Sequence, residues 1–437
     1  MFGFFKKRTE KPSVTDEDKK WIEKNISGYI EQFGLDHLEK SPFLIPEYEI
    51  FPYSNLRDGE QLDNLFKQVC RIYDIDPNEI DLVIFEDVKS KTWFRGENVP
   101  VQIKKSDPLG IYVKNHLKDQ KKYKVLLAKS NFKNIWSLIA TLSHELAHVK
   151  LLGEGYMADN TPDLEPLTDL ACIFFGFGLF LANSVISKDD YWMSRQGYIP
   201  NEMISYSNAL LCYITGKKAT DYAEYLNENT HDIFLKDFQY LVNTNDTALD
   251  KERVSELSRK FNLWEDYDKC LDDRKYREAL DCCIELLAID NKNIYAVNGL
   301  GYVKMLMNHF DDAISDFNSA IDINPYFDYA YSNRGLCKMF VGDIEDAYFD
   351  VSVALDMNPD NSFAWRNMGI FYYKKGGFSD AIDHFMKAIE IDDKTEVIYY
   401  CLSMAYQKTG EISKANEYLE KSREMKEKTE ELEGLLK

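Results

Sequence analysis

The sequence predicts two folds in one chain: an α+β first half with a small sheet, and an all-α second half built from repeated helix pairs. Three observations support this prediction. After about residue 260, alanines recur at a constant interval. Short runs rich in β-branched and aromatic residues lie between residues 80 and 128. From there on, apolar residues follow helical spacing.

The composition is that of an acidic chain that can form a core. It has 437 residues, of which 45% are hydrophobic, and a formal net charge of −21. This length favours two or three domains. Nucleic acid is disfavoured as a partner because phosphate binding needs clustered Lys and Arg, so we interpret the acidity as solubility. The eight cysteines include no CxxC pair, which favours the reducing cytoplasm.

The sequence predicts neither an export signal nor a membrane span. The first eight residues place apolar side chains before basic ones, the reverse of a secretory signal. The apolar stretch Leu170 to Ser187 is barely long enough to span, contains Asn183 and follows Asp169 directly. We therefore expect a buried core helix there, in a cytoplasmic protein with no membrane partner.

The first half is predicted to begin with an amphipathic helix from Asp16 to Phe33. Three strands follow: Ile80 to Asp87, Gly110 to Asn115, and Tyr123 to Ala128. A longer helix starts at Ile135, because apolar residues recur at helical spacing as far as Val149. Gly153 is the predicted C-cap of this helix.

That helix carries the sequence HELAH, from His144 to His148. Histidines four residues apart lie one turn apart, so both imidazoles point the same way and can share a metal ion. Glu145 lies beside them, where it can act on water. Two histidines on a helix can also be a coincidence, and such a coincidence would lack the third ligand that catalytic zinc takes.

The segment DLEPLTDL offers a third ligand, since Glu165 and Asp169 share one face if it is helical. Sixteen residues separate His148 from Glu165. HExxH followed by ExxxD resembles the gluzincins, the thermolysin-like zinc peptidases, whose domain has a zincin-like α+β fold. The pattern HExxHxxGxxH of another zinc peptidase family does not apply, because Leu151 and Glu154 replace its Gly and last His.

The resemblance implies one Zn²⁺ per chain and a role for each matching residue. The implied ligands are His144, His148 and Glu165, the general base is Glu145, and Asp169 orients a ligand histidine. Glu154 and Asp163 stay open as rival ligands. Glu165 and Asp169 could also be an acidic helix start that the helix dipole favours.

Two further expectations concern this region. Pro166 requires that its helix begin near Glu165, because proline is tolerated only in a first turn. The resemblance also implies a downstream Tyr or His that stabilises an oxyanion. Tyr198 is the first candidate, beside Tyr206 and His231, although tyrosines also serve packing in a chain that has 28 of them.

The second half is periodic, with a repeat unit of about 34 residues. Small residues recur where paired helices cross closely, and Gly or Asn recurs where the turn between helices needs a positive φ. Pro325 and Pro359 close two units, since proline cannot continue a helix. The columns are Ala279, Ala313, Ala347, Ala381 and Ala415; Gly301, Gly335 and Gly369, then Ser403; Asn308, Gly342, Gly376 and Gly410; and Ala320, Ala354 and Ala388.

These columns resemble the tetratricopeptide repeat (TPR), most clearly in Ser362 to Thr395. Copies are expected to start near Lys260 (a degenerate copy), Ile294, Asp328, Ser362 and Glu396. The resemblance implies an all-α superhelix whose first helices line a concave groove for a peptide or protein. The groove positions include Tyr295, Asn298, Tyr302, Tyr329, Ser332, Arg366, Tyr373, Lys374 and Tyr400. They lack the full Lys/Asn/Arg set that clamps a chaperone's C-terminal carboxylate, and some of these tyrosines could instead pack between helices.

The sequence thus predicts a zinc metallopeptidase-like domain at residues 1–245, a linker at 246–260 that can itself be helical, and a TPR domain at 261–437. The expected function is a zinc-dependent peptidase whose repeats recruit substrate or partner. The alternative is a non-catalytic TPR scaffold or adaptor with a structural or vestigial zinc site.

Overall fold

The computed structural model describes residues 11–35, 59–85, 110–114, 122–184, 186–189, 192–195, 198–429 and 432–436. The chain divides into two compact units, Met1–Phe261 and Asn262–Lys437. The described strands are β1 (Ile80–Phe85), β2 (Gly110–Lys114), β3 (Tyr123–Ala128), β4 (Ile186–Asp189) and β5 (Trp192–Arg195). The helices up to the boundary are α1 (Asp16–Phe33), α2 (Gly59–Ile72), α3 (Ile135–His148), α4 (Leu164–Cys172), α5 (Gly178–Ser184), α6 (Asn201–Thr215), α7 (Ala219–Ala223), α8 (Glu228–Thr244) and α9 (Lys251–Asp272), which contains the boundary.

The three predicted strands form one sheet in the order β1-β3-β2. β3 runs parallel to β1 and antiparallel to β2, so β2 is an edge strand among those described. The last predicted residues of the first two strands, 86–87 and 115, lie outside the described residues. α3 packs against β2 and β3 and buries Leu138, Leu142 and Leu146 in the same apolar core as Val125 and Leu127. This packing fixes the helix that carries both histidines.

The end of α3 differs from the prediction. The helix continues as one π-helical turn, Val149–Gly153, and the residue with positive φ is Gly155 (83°). Gly153 serves packing instead: a Cβ there would lie 2.7 Å from the ring of Tyr123, whose hydroxyl donates to the Gly153 carbonyl at 2.8 Å. The predicted C-cap at Gly153 is therefore wrong, because this glycine permits a close approach rather than a left-handed turn.

The apolar stretch predicted to be a core helix is buried in the first unit. α4, a π-helical turn at Ile173–Phe177 and α5 together form the segment Leu164–Ser184. By length and composition it is the one helix in the described part of the chain that could cross a membrane, but 83% of its apolar window is buried inside the protein. Gly176 (φ 94°) lies at a kink in the π-helical turn, a backbone conformation that favours glycine.

The second unit consists of successive helix pairs. Its helices after α9 are α10 (Tyr276–Ile289), α11 (Ile294–Leu306), α12 (Phe310–Ile323), α13 (Asp328–Val341), α14 (Ile344–Met357), α15 (Ser362–Lys374), α16 (Phe378–Ile391), α17 (Ile398–Thr409), α18 (Ile412–Glu424) and α19 (Glu433–Leu436). The second helices of the pairs begin at a constant interval, at Tyr276, Phe310, Ile344, Phe378 and Ile412. Each of the pairs α11/α12, α13/α14, α15/α16 and α17/α18 packs together.

The predicted columns of small residues have the expected roles. The eight column alanines are all buried. Gly342, Gly376 and Gly410 have φ of 94°, 80° and 83°, and Asn308 has 61°. Arg274, one repeat unit before Asn308, also has a positive φ, 58°, so the backbone turn of the later copies is present there too.

The third glycine of the crossing column gives a stability prediction. We expect Gly369→Ala to lower the free energy of unfolding of the second unit by about 1–3 kcal/mol. Its Cβ would collide with the Phe385 ring and lie 3.1 Å from the Ala381 carbonyl oxygen. Chemical unfolding followed by circular dichroism measures the change. The control is Gly377→Ala, whose Cβ would meet the end of the Asp380 side chain at 3.1 Å; equal losses in both variants would contradict the packing role.

The fifth copy departs from the repeat. α17 begins at Ile398, two residues later than the repeat predicts. In the fourth copy the side chain of Asn361 caps the first helix, but its counterpart Thr395 donates its hydroxyl to the Asp392 carbonyl instead. Two backbone N–H groups in the first turn of α17 donate to the carboxylate of Glu427, at 3.0 and 2.9 Å. The cap of this helix thus comes from the segment that follows α18.

Candidate functional site

α3 and α4 bring three potential metal ligands together. His144 and His148 lie one turn apart on α3, and Glu165 lies in the first turn of α4. Their donor atoms are all within 4.8 Å of one another. Glu165 Oε2 lies 3.1 Å from His144 Nε2 and 3.4 Å from His148 Nε2.

These separations suit a tetrahedral zinc ion. With Zn–N and Zn–O bonds of about 2.0–2.1 Å, two ligands of a tetrahedral ion lie about 3.3–3.4 Å apart. Both measured donor separations are close to this value. Two imidazoles and one carboxylate are also the donor types that catalytic zinc takes, and they leave a fourth position open.

The rival ligands are placed differently. Glu154 forms an ion pair with Lys150 at 2.8 Å, and Asp163 is the residue before α4, with φ of 57°. Neither belongs to the donor cluster found in the described part of the chain. Because α4 begins at Leu164, Pro166 falls in the first turn, where it removes no helical hydrogen bond.

Asp169 holds the ring of His144 in one orientation. Its Oδ1 lies 2.9 Å from His144 Nδ1. Its Oδ2 accepts the backbone N–H groups of Tyr198 and Ile199, at 2.5 and 3.2 Å. A carboxylate oxygen accepts, so Nδ1 donates its proton to Asp169, and Nε2 is the ring nitrogen that faces Glu165.

His148 has a comparable partner that the sequence analysis did not identify. The hydroxyl of Thr168 donates to the Leu164 carbonyl at 2.8 Å. Its oxygen can therefore accept a hydrogen bond from His148 Nδ1, which is 3.4 Å away. Thr168 is one turn after Glu165 on the same helix face, and this spacing is the signal that could have indicated it. Both imidazoles therefore present Nε2 to the site.

Removing the Thr168 hydroxyl should weaken the site without removing a ligand. We expect Thr168→Val to lower zinc affinity about 10–100-fold, as is common for partners of ligand histidines. Competition with a chromophoric chelator measures the affinity. Thr168→Ser keeps the oxygen and is the matched control; if the serine variant loses as much affinity as the valine variant, the hydroxyl is not the cause.

The protonation equilibria of the metal-free site reflect these contacts. Hydrogen bonds with His144 and His148 hold the pKa of Glu165 well below its usual range. Burial lowers the pKa of His144, but its hydrogen bonds with Asp169, Cys172 and Glu165 outweigh burial, and the net pKa lies well above the usual value. A metal ion bound here would displace protons from the imidazoles.

Glu145 is buried beside the two histidines. Burial raises the pKa of its carboxyl group, and the charge of Glu165 adds to this, while both histidines and a hydrogen bond from the Tyr112 backbone oppose it. β2 passes directly over this carboxylate: a Cβ on Gly110 would collide with Glu145 and lie 2.7 Å from Thr141 Cγ2. The edge of the sheet and the predicted base thus meet at the same place.

The three oxyanion candidates lie in different surroundings. Tyr198 is 58% exposed, and its ring stacks on His144 with centroids 5.5 Å apart. Tyr206 is buried and its hydroxyl donates to Glu23 at 2.8 Å, whereas His231 Nδ1 lies 3.0 Å from Asp232. Among the described contacts, the stacking of Tyr198 on His144 is the only one between an oxyanion candidate and a potential metal ligand.

The predicted groove residues fall into three groups in the second unit. The exposed ones are Tyr295, Tyr329 and Lys374; the partly buried ones are Asn298, Tyr302 and Tyr400; and the buried ones are Ser332, Arg366 and Tyr373. The buried polar groups are paired: Arg366 donates to the Glu396 carbonyl at 2.9 Å, and Asn367 donates to the Ser332 hydroxyl at 3.0 Å. The sequence predicts that Arg366 faces the groove, but it is buried and paired with neighbouring residues.

An aromatic row borders this region. Its ring centroids are 5.4 Å apart between Tyr295 and Phe327, 5.9 Å between Phe327 and Tyr329, and 6.3 Å between Tyr329 and Phe363. Tyr295 and Tyr329 are 62% and 41% exposed. The row offers contact area to a partner at a low cost in side-chain entropy.

The second unit thus has the helix-pair architecture of the TPR class. The assignment to this class is based on the repeat geometry of the chain itself. No protein-family model matches the chain. Solved structures similar to it include TTC0263, a thermophilic TPR protein of Thermus thermophilus, at 17% identity over 38% of this chain and 90% of that one, with a TM-score of 0.35. YrrB, a TPR protein with an unusual peptide-binding site, has 16% identity over 43% and 90% of the two chains and a TM-score of 0.27. The first TPR of Spaghetti (RPAP3), bound to an HSP90 peptide, has 29% identity over 23% and 81%, with a TM-score of 0.23.

Proposed function

We propose that this chain is a cytoplasmic zinc-dependent peptide hydrolase that binds its substrate or a protein partner through TPR helices. One observation carries the hydrolase assignment: Glu145 is buried beside three convergent zinc-type donors, His144, His148 and Glu165. The cytoplasmic assignment is supported by the eight cysteines, none of which forms a disulfide.

The openness of the site supports a catalytic rather than a structural zinc. Structural zinc sites are closed by four protein ligands, whereas catalytic sites keep one position for water or substrate. Three donors converge in the described part of the chain. The side chain of Glu165 is 40% exposed, and Tyr198 beside it is exposed as well, so solvent reaches this face.

Several residues of the chain would have separate roles in hydrolysis. A bound zinc ion would supply Lewis acidity and lower the pKa of water. Glu145 would accept the proton of the attacking water and pass it to the leaving amine, a task that its raised pKa favours. Asp169 and Thr168 would hold the two imidazoles in orientation. Tyr198 is the candidate to donate a hydrogen bond to the oxyanion.

The substrate that fits this geometry is an extended peptide. β2 is an edge strand among the described strands, and its backbone at Gly110 and Tyr112 touches Glu145. An edge strand can pair with an added strand through its main-chain groups. A peptide bound in this way would run past the catalytic carboxylate.

Digestion of a broad peptide library by the purified full chain tests the proposal. We expect cleavage that a zinc chelator abolishes and that added zinc restores. Cleavage that persists in the chelator would contradict zinc dependence. A zinc-loaded wild type that cleaves no peptide would favour the second candidate function.

The second candidate is a non-catalytic TPR scaffold with a structural zinc site. The observation that favours it is the regularity of the second unit. The eight column alanines are all buried, and neighbouring rings of the aromatic row contact one another. These features support partner binding whether or not the first unit is active. A zinc-loaded chain that binds a partner but hydrolyses no peptide would have this function.

A further inference from the structure

A segment that follows α18, the second helix of the last repeat, packs back onto the first helices of the repeats. We name it the return segment: residues 425–429 and 432–436 among those described. Its short helix α19 contacts α13 and α15, the first helices of the third and fourth repeats. Leu432, Leu435 and Leu436 are 4%, 5% and 0% exposed, and they share one apolar cluster with Met368 and Tyr373.

Polar contacts fix the same segment at several other points. The Tyr373 hydroxyl donates to the Leu436 carbonyl at 2.8 Å. Glu427 accepts two backbone N–H groups of α17, and Lys428 Nζ donates to the Leu271 carbonyl of α9 at 3.1 Å. The contacted helices α9, α13, α15 and α17 are all first helices of their repeats. The return segment therefore occupies the side that the sequence predicts to be the partner groove.

The leucine spacing of the segment defines what this side recognises. Leu432, Leu435 and Leu436 stand at positions i, i+3 and i+4, which share one face of a single helical turn. A helix as short as α19 is not stable alone in water. The turn must therefore be ordered by the surface on which the leucines pack. That surface receives the three side chains, and its Tyr373 hydroxyl donates to the backbone of the turn.

We propose that this groove binds a helical turn with leucines at i, i+3 and i+4, and that the return segment is a built-in occupant that competes with a partner of this kind. The proposal rests on the partner-binding part of the proposed function and not on the zinc site. Intramolecular occupancy acts at an effective concentration on the order of millimolar. A partner must therefore displace the segment. The apparent affinity of the partner is its intrinsic affinity multiplied by the fraction of grooves that are free.

A labelled peptide with the sequence EKTEELEGLLK, residues 427–437, provides the probe. We measure its binding to the wild-type full chain and to the full-chain double variant Leu435→Asp, Leu436→Asp. The vacated groove of the variant should bind the peptide at least about tenfold more tightly than the wild type does. Ile412→Asp, at a 54% exposed position of α18, is the control variant, and the same peptide with both leucines replaced by Asp is the control ligand.

Three outcomes would overturn the proposal: no binding to a folded double variant, equal binding to variant and wild type, or equal binding of the control peptide. A second measurement on the wild type covers the case in which the double variant does not fold. Saturating peptide should accelerate hydrogen exchange at the amides of residues 432–436, and unchanged exchange contradicts displacement. Zinc-dependent cleavage of short peptides by the same preparations separates this proposal from the hydrolase, because a failure of either leaves the other unchanged.

Discussion

His148→Ala and Glu165→Ala are each expected to reduce zinc from about one ion per chain to a small fraction of that value after dialysis. Each change removes one of three convergent donors, and the two that remain bind the ion much more weakly than three do. Elemental analysis of the purified full chain measures the stoichiometry. His144→Ala should behave in the same way, because its Nε2 faces the same carboxylate oxygen at 3.1 Å.

Matched controls come from the two acidic residues nearest to the site in sequence. Glu154→Ala and Asp163→Ala each remove one carboxylate, yet neither residue belongs to the donor cluster. Both should keep full zinc content. If either loses zinc while Glu165→Ala keeps it, the ligand assignment is wrong.

Glu145→Gln is expected to keep zinc and to lower peptide hydrolysis about 10²–10⁴-fold, the usual contribution of a general base. Glutamine has nearly the same shape, so the close approach of Gly110 to this side chain is preserved. Its amide cannot take the proton from water. Steady-state cleavage of a peptide identified by the library digest measures the loss, and zinc content is determined on the same sample.

Glu154→Gln is the control for this second prediction, because it makes the same chemical change on a residue paired with Lys150 outside the donor cluster. It should retain wild-type activity. An active Glu145→Gln protein would contradict the role of Glu145 as base. If zinc is present and the wild type itself is inactive, the scaffold function becomes the better account.

Features set by short-range periodicity could be predicted from the sequence. The observed α1 and β3 have the predicted bounds, and the glycine and asparagine turns have the expected positive φ. Each of these features depends on neighbours a few residues away, or on a constant sequence interval that can be recognised because it is repeated. The HExxH spacing belongs to the same kind of signal, since one helical turn brings the two histidines together.

Features that depend on distant partners could not be predicted. Gly153 looks like a helix cap in sequence, and only the ring of Tyr123 shows why a small residue is needed there. The spacing of Thr168 from Glu165 places it on the right helix face, but its contact with His148 depends on how two helices pack. The burial of Arg366 and Tyr373 could not be foreseen either, because it depends on segments 30 and 63 residues further along the chain.

The return segment also changes how the repeats should unfold. In an array where each repeat touches only its neighbours, the end repeats fray and unfold before the middle. Here Lys428 contacts Leu271 across 157 residues of sequence, and the same segment reaches α13, α15 and α17. This contact joins the first repeat to the return segment and converts a linear array into a closed loop. Such a loop has a higher contact order, folds more slowly and loses its end repeats together with its centre, in a single cooperative transition.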